Sequence, residues 1–370
     1  MKMGIQAKLK LATKVPLLVN PTRVYRIYKG GRLIDEFRGN AAGVDGMYPE
    51  DWVGSDTRAI NPGREHLEEG LTVVEIPGGD VIRLKTLIEQ LPYAMLGERH
   101  VSRWGKTTGV LVKLLDSAVR LPVHCHPNRS FAHQYMKSPF GKTECWIIKK
   151  IRTINGVEPY LAIGFKEGVT RDDFSKWVEA KDGEMILSSL NRITVEPGDV
   201  YLVEAGMPHA IGEGILMIEV QEPSDWCVFA EYASFGIREE DAHQKRGWEL
   251  GLDCFNYTNY SLKDVESAFK QQEPIARQIG HSYERRLISP RYAEFFRASE
   301  LFIDGALPMT GDGFYIGITN SGSGRVVTSS GELAIQRGTT FLIPASAGDH
   351  EYHSDPGSEL EVTICLPPSS

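Results

Sequence analysis

The clearest indication of the fold is the stretch ITVEPGDVYLVEAGMPHAI, residues 193–211. It reads as an apolar strand, a turn at Pro197-Gly198-Asp199, a second apolar strand, a loop of small residues and a histidine, His209. A similar pattern returns in LAIQRGTTFLIPASAGDHEY, residues 333–352, which again passes from strand through a glycine turn to strand, loop and histidine. This weak internal repeat predicts two β-barrels of the same type.

Further strand-like segments precede the first of these stretches. TGVLVKLLDS, LPVHCHP, TECWIIKKI and PYLAIGF are bounded by turns, which favours a sandwich or barrel over alternating strands and helices. The sequence predicts that Thr170 and Ser261 are the N-caps of two helices. We therefore predict a mainly β protein with two barrels and helical insertions. The predicted parts are residues 1–235, which hold the first barrel and a helical insertion near 168–190, a helical segment at 236–285, and a second barrel at 286–370.

The composition narrows the classes of function. The chain has 370 residues, 41% of them hydrophobic, and a formal net charge of -8. An acidic chain argues against a nucleic-acid surface and against an anionic membrane, although one local basic pocket could still hold a small anion. No apolar run is long enough for a signal peptide or a membrane span. Five cysteines, without CxxC spacing, argue against a disulfide framework, and we expect a cytoplasmic protein.

The segment LPVHCHPNRS, residues 121–130, contains a candidate metal site. His124 and His126 point to the same face if the segment is a strand. Taken alone, such a pair is more often a solvated strand face than a pair of ligands. Glu144 and His209 lie in patterned segments of their own, and imidazoles with a carboxylate suit a divalent ion such as zinc. We predict that these four residues form one metal site in the first barrel.

These motifs resemble the cupin superfamily and, more narrowly, the class I mannose-6-phosphate isomerases. The resemblance is carried by YPEDWVGSD, LVKLLDS with VHCHP, GKTECWIIKK, AIGFKEGVTRDDF and VEPGDVYLVEAGMPHAIGEGILMIEVQEPSD, in family order and over most of the chain. It implies a double-stranded β-helix, or jelly-roll, for each barrel. It also implies that the second barrel is degenerate. His350 and His353 lie in the equivalent loop of that barrel but lack an H-x-H and Glu partner set, so we expect no metal there.

The resemblance also implies residue roles. The family's metal ligands fall on His124, His126, Glu144 and His209, with His124 at a position where the family usually has Gln. The resemblance implies one bound divalent ion, with zinc as the first candidate and Mn, Fe, Co or Ni as alternatives. The implied reaction is the interconversion of mannose 6-phosphate and fructose 6-phosphate through an enediol. Lys142 and Arg246 are the implied catalytic residues.

One departure from the family leaves the substrate open. Val228 and Phe229 stand where a Tyr-Arg pair is usual, and the loss of an arginine removes positive charge near the pocket. A phosphate would then need other donors, such as Lys142, Arg246 or the Arg285-Arg286 pair. The alternatives are an isomerase of an unphosphorylated sugar, a non-catalytic sugar-binding or regulatory cupin, and an iron-dependent cupin dioxygenase. The general base and the oligomeric state stay open.

Overall fold

The computed structural model describes residues 4–369. The helices are α1 (Ile5–Ala12), α2 (Arg32–Phe37), α3 (Leu84–Gln90), α4 (Pro92–Leu96), α5 (Glu98–Trp104), α6 (Arg129–Phe131), α7 (Arg171–Ala180), α8 (Gly183–Ser188), α9 (Glu239–Ala242), α10 (Trp248–Asp253) and α11 (Leu262–Phe269). No helix in this described range is long and apolar enough to span a membrane.

The strands of the first half are β1 (Leu17–Leu18), β2 (Arg23–Val24), β3 (Glu50–Val53), β4 (Val73–Ile76), β5 (Asp80–Arg83), β6 (Leu111–Ser117), β7 (His124–Cys125), β8 (Glu144–Ile151), β9 (Tyr160–Lys166), β10 (Leu190–Thr194), β11 (Val200–Val203), β12 (His209–Ile211), β13 (Ile215–Gln221) and β14 (Val228–Phe229). They are followed by β15 (Asn259–Tyr260), β16 (Ile275–Ile279), β17 (Ser282–Arg286), β18 (Arg297–Ile303), β19 (Ala306–Met309), β20 (Tyr315–Ser321), β21 (Ser323–Thr328), β22 (Gly331–Gln336), β23 (Thr340–Ile343), β24 (His350–Ser354) and β25 (Leu360–Leu366).

The first barrel is built from two sheets. One has the order β10-β9-β12-β7-β14, with β15 added beside β9, and the other has the order β11-β8-β13-β6-β3-β2. The long strands β6, β8 and β13 pair antiparallel to one another. The prediction of a mainly β, cupin-type fold is confirmed for this half of the molecule.

The second barrel repeats this plan. Its sheets have the orders β1-β23-β20-β25-β18-β17-β16 and β19-β24-β21-β22. The predicted internal repeat is confirmed, because β10, β11 and β12 follow one another in the first barrel as β22, β23 and β24 do in the second. The domain boundaries stay predictions. Strands β1 and β16, and all of β17 except its last residue, come from residues placed outside the second barrel, yet these strands hydrogen-bond into its larger sheet.

A shared hydrophobic core joins the two barrels. Strand β6 shows how it forms, because all of its residues are buried although its sequence, LVKLLDS, is not uniformly apolar. Val112 and Leu114 belong to the core cluster that also contains Ile316 and Leu342 of the second barrel. Alternate residues of a strand point to opposite faces, so Lys113 is directed to the interior of the first barrel. The apolar face packs the barrels together and the other face is left for the site.

The two predicted helix caps are confirmed. The Thr170 hydroxyl accepts a hydrogen bond from the Asp173 amide at the start of α7, and the Ser261 hydroxyl does the same for the Asp264 amide at the start of α11. Each cap satisfies one of the amide groups that have no partner in the first helical turn. Helix α7, with α8, forms the predicted helical insertion of the first barrel.

Candidate metal centre and active site

Strand β7 brings three histidines together. His124 lies in the register opposite His209 of β12, so both side chains point to the same side of their sheet. His126 follows β7, and its ring centroid lies 4.8 Å from that of His124 and 5.0 Å from that of His209. One ligand nitrogen from each of the three rings lies within 4.8 Å of those from the other two. This cluster could hold a metal ion.

The orientation of each ring is set by a hydrogen bond to the backbone. The Nδ1 atoms of His124, His126 and His209 lie 2.8, 2.8 and 2.9 Å from carbonyl oxygens, those of Pro122, Trp226 and Met207 respectively. A carbonyl oxygen only accepts, so each Nδ1 carries the proton and donates it. The remaining nitrogen, Nε2, therefore keeps its lone pair in the neutral ring, as a metal-binding imidazole requires.

Glu144 reaches the same cluster from the facing sheet, at the start of β8. Its Oε1 lies 2.8 Å from Nε2 of His126, and its Oε2 lies 3.8 Å from Nε2 of His209. The Trp146 indole nitrogen donates to Oε2 over 3.0 Å. The ammonium of Lys142 lies 2.8 Å from Oε1 of Glu144 and 3.0 Å from Nε2 of His126. All five residues predicted for this part of the site therefore meet.

The residues present fit a divalent cation. In the neutral tautomer, Nε2 of His126 and Oε1 of Glu144 are both acceptors, and the Lys142 ammonium lies within hydrogen-bonding distance of each. Nε2 of His209 is buried and has no hydrogen-bond partner among the described residues. Buried polar atoms are normally satisfied, so an atom of this kind beside a carboxylate marks a place for a ligand. Three imidazoles and a carboxylate form a donor set suited to zinc and its neighbours.

Burial keeps the histidines neutral. It lowers the pKa of His126 to about 3, although Glu144 favours the charged ring. Burial and the two neighbouring rings also lower the pKa of His124, and burial lowers that of His209. For Glu144, burial favours the protonated acid, but the combined effect of His126, Lys142 and the hydrogen bonds holds its pKa well below the ordinary value. Neutral rings and an ionised carboxylate are the states that bind a metal.

The cluster lies on the wall of a cavity of about 650 Å³. Two buried residues on the same wall, Lys113 and Glu219, were not predicted as part of the site. They are cross-strand partners on β6 and β13, with Nζ of Lys113 at 2.9 Å from Glu219. The sequence does carry a signal for them. Each is a charged residue inside an otherwise apolar strand, and a buried strand tolerates a charge only when it is paired.

A second ion-pair group extends this wall. Arg26 lies 3.0 Å from Glu50 and 2.9 Å from Asp225, and the Tyr28 hydroxyl donates to Glu50 over 2.6 Å. Arg26 and Lys113 share Glu50, since Nζ of Lys113 lies 3.7 Å from it. Burial opposes ionisation of Glu50, but these two cations hold its pKa well below the ordinary value. The positive and negative side chains of this wall therefore compensate one another closely.

Arg246 lies apart from the metal cluster, among the residues that line the mouth of the cavity. Its Nε and Nη2 atoms donate to the carbonyl of Tyr135 over 3.1 and 2.5 Å, and Nη1 donates to the carbonyl of Gln244 over 2.5 Å. These bonds tie the loop at Gln244 to the short helical segment Ala132–Met136. Its predicted catalytic role stays a prediction, and the contacts in the structure are those of a residue that positions the loop. The Arg285-Arg286 pair lines a separate surface groove.

Comparison with known proteins agrees with the motifs. No protein-family model matches the chain. The mannose-6-phosphate isomerase ManA of Bacillus subtilis is 26% identical over 261 residues, which cover 69% of this chain and 76% of that protein. The mannose-6-phosphate isomerase of Streptococcus mutans is 24% identical over 285 residues, covering 75% and 83% of the two chains.

Comparison with solved structures agrees with the comparison of sequences. The crystal structure of the mannose 6-phosphate isomerase from Bacillus subtilis superposes with a TM-score of 0.70 at 20% identity, over 95% of this chain and 99% of that one. The likeness in fold therefore extends over both barrels. The resemblance to the mannose-6-phosphate isomerases, indicated by the sequence motifs, is confirmed.

Proposed function

We propose that this chain, which resembles the mannose-6-phosphate isomerases in sequence and in fold, is a metal-dependent aldose–ketose isomerase. The observation that carries the proposal is the convergence of His124, His126, His209 and Glu144 at the wall of a cavity that also presents buried acid–base groups. Mannose 6-phosphate is the substrate indicated by the names of the relatives, and fructose 6-phosphate is the product implied by the sequence resemblance. The phosphate takes no part in the proton transfer between C1 and C2, so the same chemistry applies to a free sugar.

The metal ligands in this proposal are the three histidines and Glu144, and zinc is the first ion to test. A divalent cation held there would supply Lewis acidity toward the sugar oxygens, which would favour removal of the carbon-bound proton. The histidines and Glu144 contribute orientation. Their backbone and Trp146 hydrogen bonds hold the donor atoms in place before any ion or substrate arrives.

We assign the proton transfer to Glu219. The reaction requires a base that takes a proton from C2 of the aldose and returns it to C1. Burial and the nearby charge of Glu144 raise the pKa of Glu219 above its ordinary value, while Lys113 lowers it. A carboxylate with a raised pKa is a stronger base than an exposed one. The Lys113 ammonium, 2.9 Å away, balances the charge of Glu219 when it is ionised.

Lys142 has a different role in this proposal. Burial would lower the pKa of its ammonium, but Glu144 and the other anionic groups nearby together outweigh that effect and raise it. A lysine that stays protonated cannot serve as the base. It can donate hydrogen bonds to the sugar oxygens and stabilise the negative charge that develops on them in the enediolate. Lys142 is therefore proposed as an electrostatic catalyst and Glu219 as the base.

The test is a substrate screen with enzyme in two states. Purified protein loaded with zinc, and the same protein treated with a chelator, are assayed with mannose 6-phosphate and with free aldoses, and ketose formation is measured. Turnover by the loaded enzyme that is lost on chelation and restored by metal supports the proposal. Binding of sugars without turnover by metal-loaded protein would instead identify a sugar-binding cupin, and oxygen consumption with iron bound would identify an oxygenase.

A further inference from the structure

Each cation on the inner wall of the cavity already has a carboxylate partner. The charged residues of the inner wall are Arg26, Glu50, Lys113, Lys142, Glu144, Glu219 and Asp225. Arg26 is paired with Glu50 and Asp225, Lys113 with Glu219, and Lys142 with Glu144. Three cations therefore face four carboxylates, and the pairs lie between 2.8 and 3.0 Å apart. An added anion must therefore compete with a carboxylate for each of these cations.

The remaining side of the inner cavity is apolar. Phe229 of β14 lies in the register opposite His124, and their ring centroids are 5.5 Å apart. Leu121 and Trp226 line the cavity with it. Phe229 occupies the position at which the sequence departs from its family, and it puts an aromatic ring next to the metal cluster. An aromatic face suits the C–H face of a neutral sugar and offers a phosphate group no hydrogen-bond donor.

A phosphate group in this inner cavity would find each side-chain cation already paired with a carboxylate. A phosphate monoester carries a charge of about −1.5 to −2 at pH 7. To gain a cation it would have to displace Glu219 or Asp225 from a buried ion pair. Displacing one partner leaves a buried charge without compensation, which is strongly unfavourable. The side chains of the inner wall therefore offer the phosphate no unpaired cation.

The mouth of the cavity provides few cations that could bind the phosphate. Arg238 is paired with Glu240 and Asp241, and the guanidinium of Arg246 is bonded to backbone carbonyls. Lys245 also lines the mouth. It is exposed and forms no salt bridge with any of residues 4–369. One exposed lysine in water contributes little to the binding of an anion, because solvent and salt screen its charge.

We propose that this pocket takes an unphosphorylated aldose nearly as well as, or better than, the corresponding 6-phosphate, and that Phe229 is the residue that sets this preference. The inference rests on the proposed isomerase function and names its substrate class. Phe229 provides an apolar surface for the sugar, and the paired cations of the inner wall leave the phosphate without a partner.

The experiment compares kcat/KM for mannose with kcat/KM for mannose 6-phosphate, using wild-type enzyme loaded with zinc, and repeats the comparison with glucose and glucose 6-phosphate. A preference for the phosphate of less than tenfold supports the inference, and a preference of tenfold or more overturns it. If no sugar of either kind is isomerised by the loaded enzyme, the proposed function itself fails. The two failures are therefore distinguishable.

Two variants at one position test the assigned residue. In Phe229→Arg we expect the ratio of kcat/KM for the phosphate over the free sugar to rise about tenfold or more, the effect of one charge-assisted hydrogen bond. Phe229→Leu is the matched control, since it removes the ring without adding charge. In this variant the ratio of kcat/KM for the phosphate over the free sugar should not rise above the wild-type ratio. An unchanged ratio in a folded Phe229→Arg enzyme would overturn the role of Phe229. If that variant does not fold, the wild-type ratio still decides the inference.

A third variant separates the inner cavity from the mouth. We expect Lys245→Ala to change the ratio by less than twofold. A tenfold fall in turnover of mannose 6-phosphate, with turnover of free mannose retained, would show that the mouth binds the phosphate, and it would overturn the inference.

Discussion

The two barrels place a histidine at the same point of the same pattern and give it different surroundings. His209 begins β12 and His350 begins β24, and each ring uses Nδ1 to donate to the carbonyl two residues earlier, at Met207 and at Gly348. Nε2 of His209 faces the other histidines and Glu144. Nε2 of His350 instead accepts a hydrogen bond from the Tyr315 hydroxyl over 2.5 Å.

The cross-strand neighbours explain this difference. His209 lies opposite His124 on one side, whereas His350 lies opposite Met309 and Thr328. In the second barrel Tyr352 adds a hydroxyl 2.8 Å from that of Tyr315 and completes a closed hydrogen-bonded group. A shared backbone plan thus sets the ring orientation, and the neighbouring strands decide whether the ring meets ligands or hydroxyl donors. The comparison can be tested with matched substitutions in the two barrels.

The largest effect is expected from removing a metal ligand. His126→Ala should lower the affinity for zinc by more than about 100-fold, because loss of a ligand exceeds the loss seen when only a supporting hydrogen bond is removed. Isomerase activity at low zinc should fall at least as far. The zinc content after dialysis measures the first effect, and isomerase activity as a function of added zinc measures the second. His350→Ala is the matched control in the second barrel and should keep its zinc. Equal loss of zinc in the two variants would contradict the assignment of the site to the first barrel.

The next effect concerns the proposed base. Glu219→Gln should lower kcat by about 10²–10⁴-fold, the range typical of a general base, while zinc content stays at the wild-type level. The amide keeps the shape of the side chain but cannot accept the proton. Glu196→Gln, at an exposed position of the same barrel, is the control. A Glu219→Gln enzyme with kcat near wild type would show that another residue removes the proton.

The dependence on pH tests the same residue independently. Glu219 must be ionised to act as a base, so kcat should fall as the pH drops through its pKa. Burial raises that pKa above the ordinary 4.5, and the acid limb of the kcat profile should therefore lie above pH 4.5. The limb should be absent from the residual activity of Glu219→Gln. An acid limb at the same pH in both enzymes would assign the titration to a different group.

In the second barrel we expect a change in stability and not in catalysis. Tyr315→Phe leaves the buried Nε2 of His350 without its donor, at a cost of about 1–3 kcal/mol in the free energy of unfolding. Tyr352→Phe is the matched control, because the hydroxyl it loses contacts Tyr315 and not His350, and its cost should be smaller. Denaturant unfolding measures both variants. Loss of kcat in Tyr315→Phe beyond the fraction unfolded would show that the second barrel takes part in catalysis.

The smallest effect is expected at the mouth of the first barrel. Arg246→Lys should change kcat/KM by only a few fold, because the lysine can replace part of the bonding to the carbonyls of Tyr135 and Gln244. If Arg246 instead held the substrate through a bidentate fork, lysine would be a poor substitute and KM would rise strongly. Separate determination of kcat and KM distinguishes the two roles.

Much of the fold could be predicted from local pattern. The caps at Thr170 and Ser261 and the repeat that ends in His209 and His350 were correct, because turns, caps and strand alternation are short-range properties. The roles proposed for Lys113 and Glu219 were not foreseen. Each occupies an apolar strand, and their pairing across β6 and β13 depends on the register between two distant parts of the chain.

The candidate metal ligands, the strands and turns, and the repeat of the pattern could all be identified from the sequence. This was possible because these features depend on residue type and on spacing within a few positions. The tertiary structure alone decided that His209 faces His124 while His350 faces a tyrosine hydroxyl, and that each inner-wall cation is matched by a carboxylate. These outcomes follow from which strands become neighbours and in what register, and they set the charge that a substrate meets in the cavity.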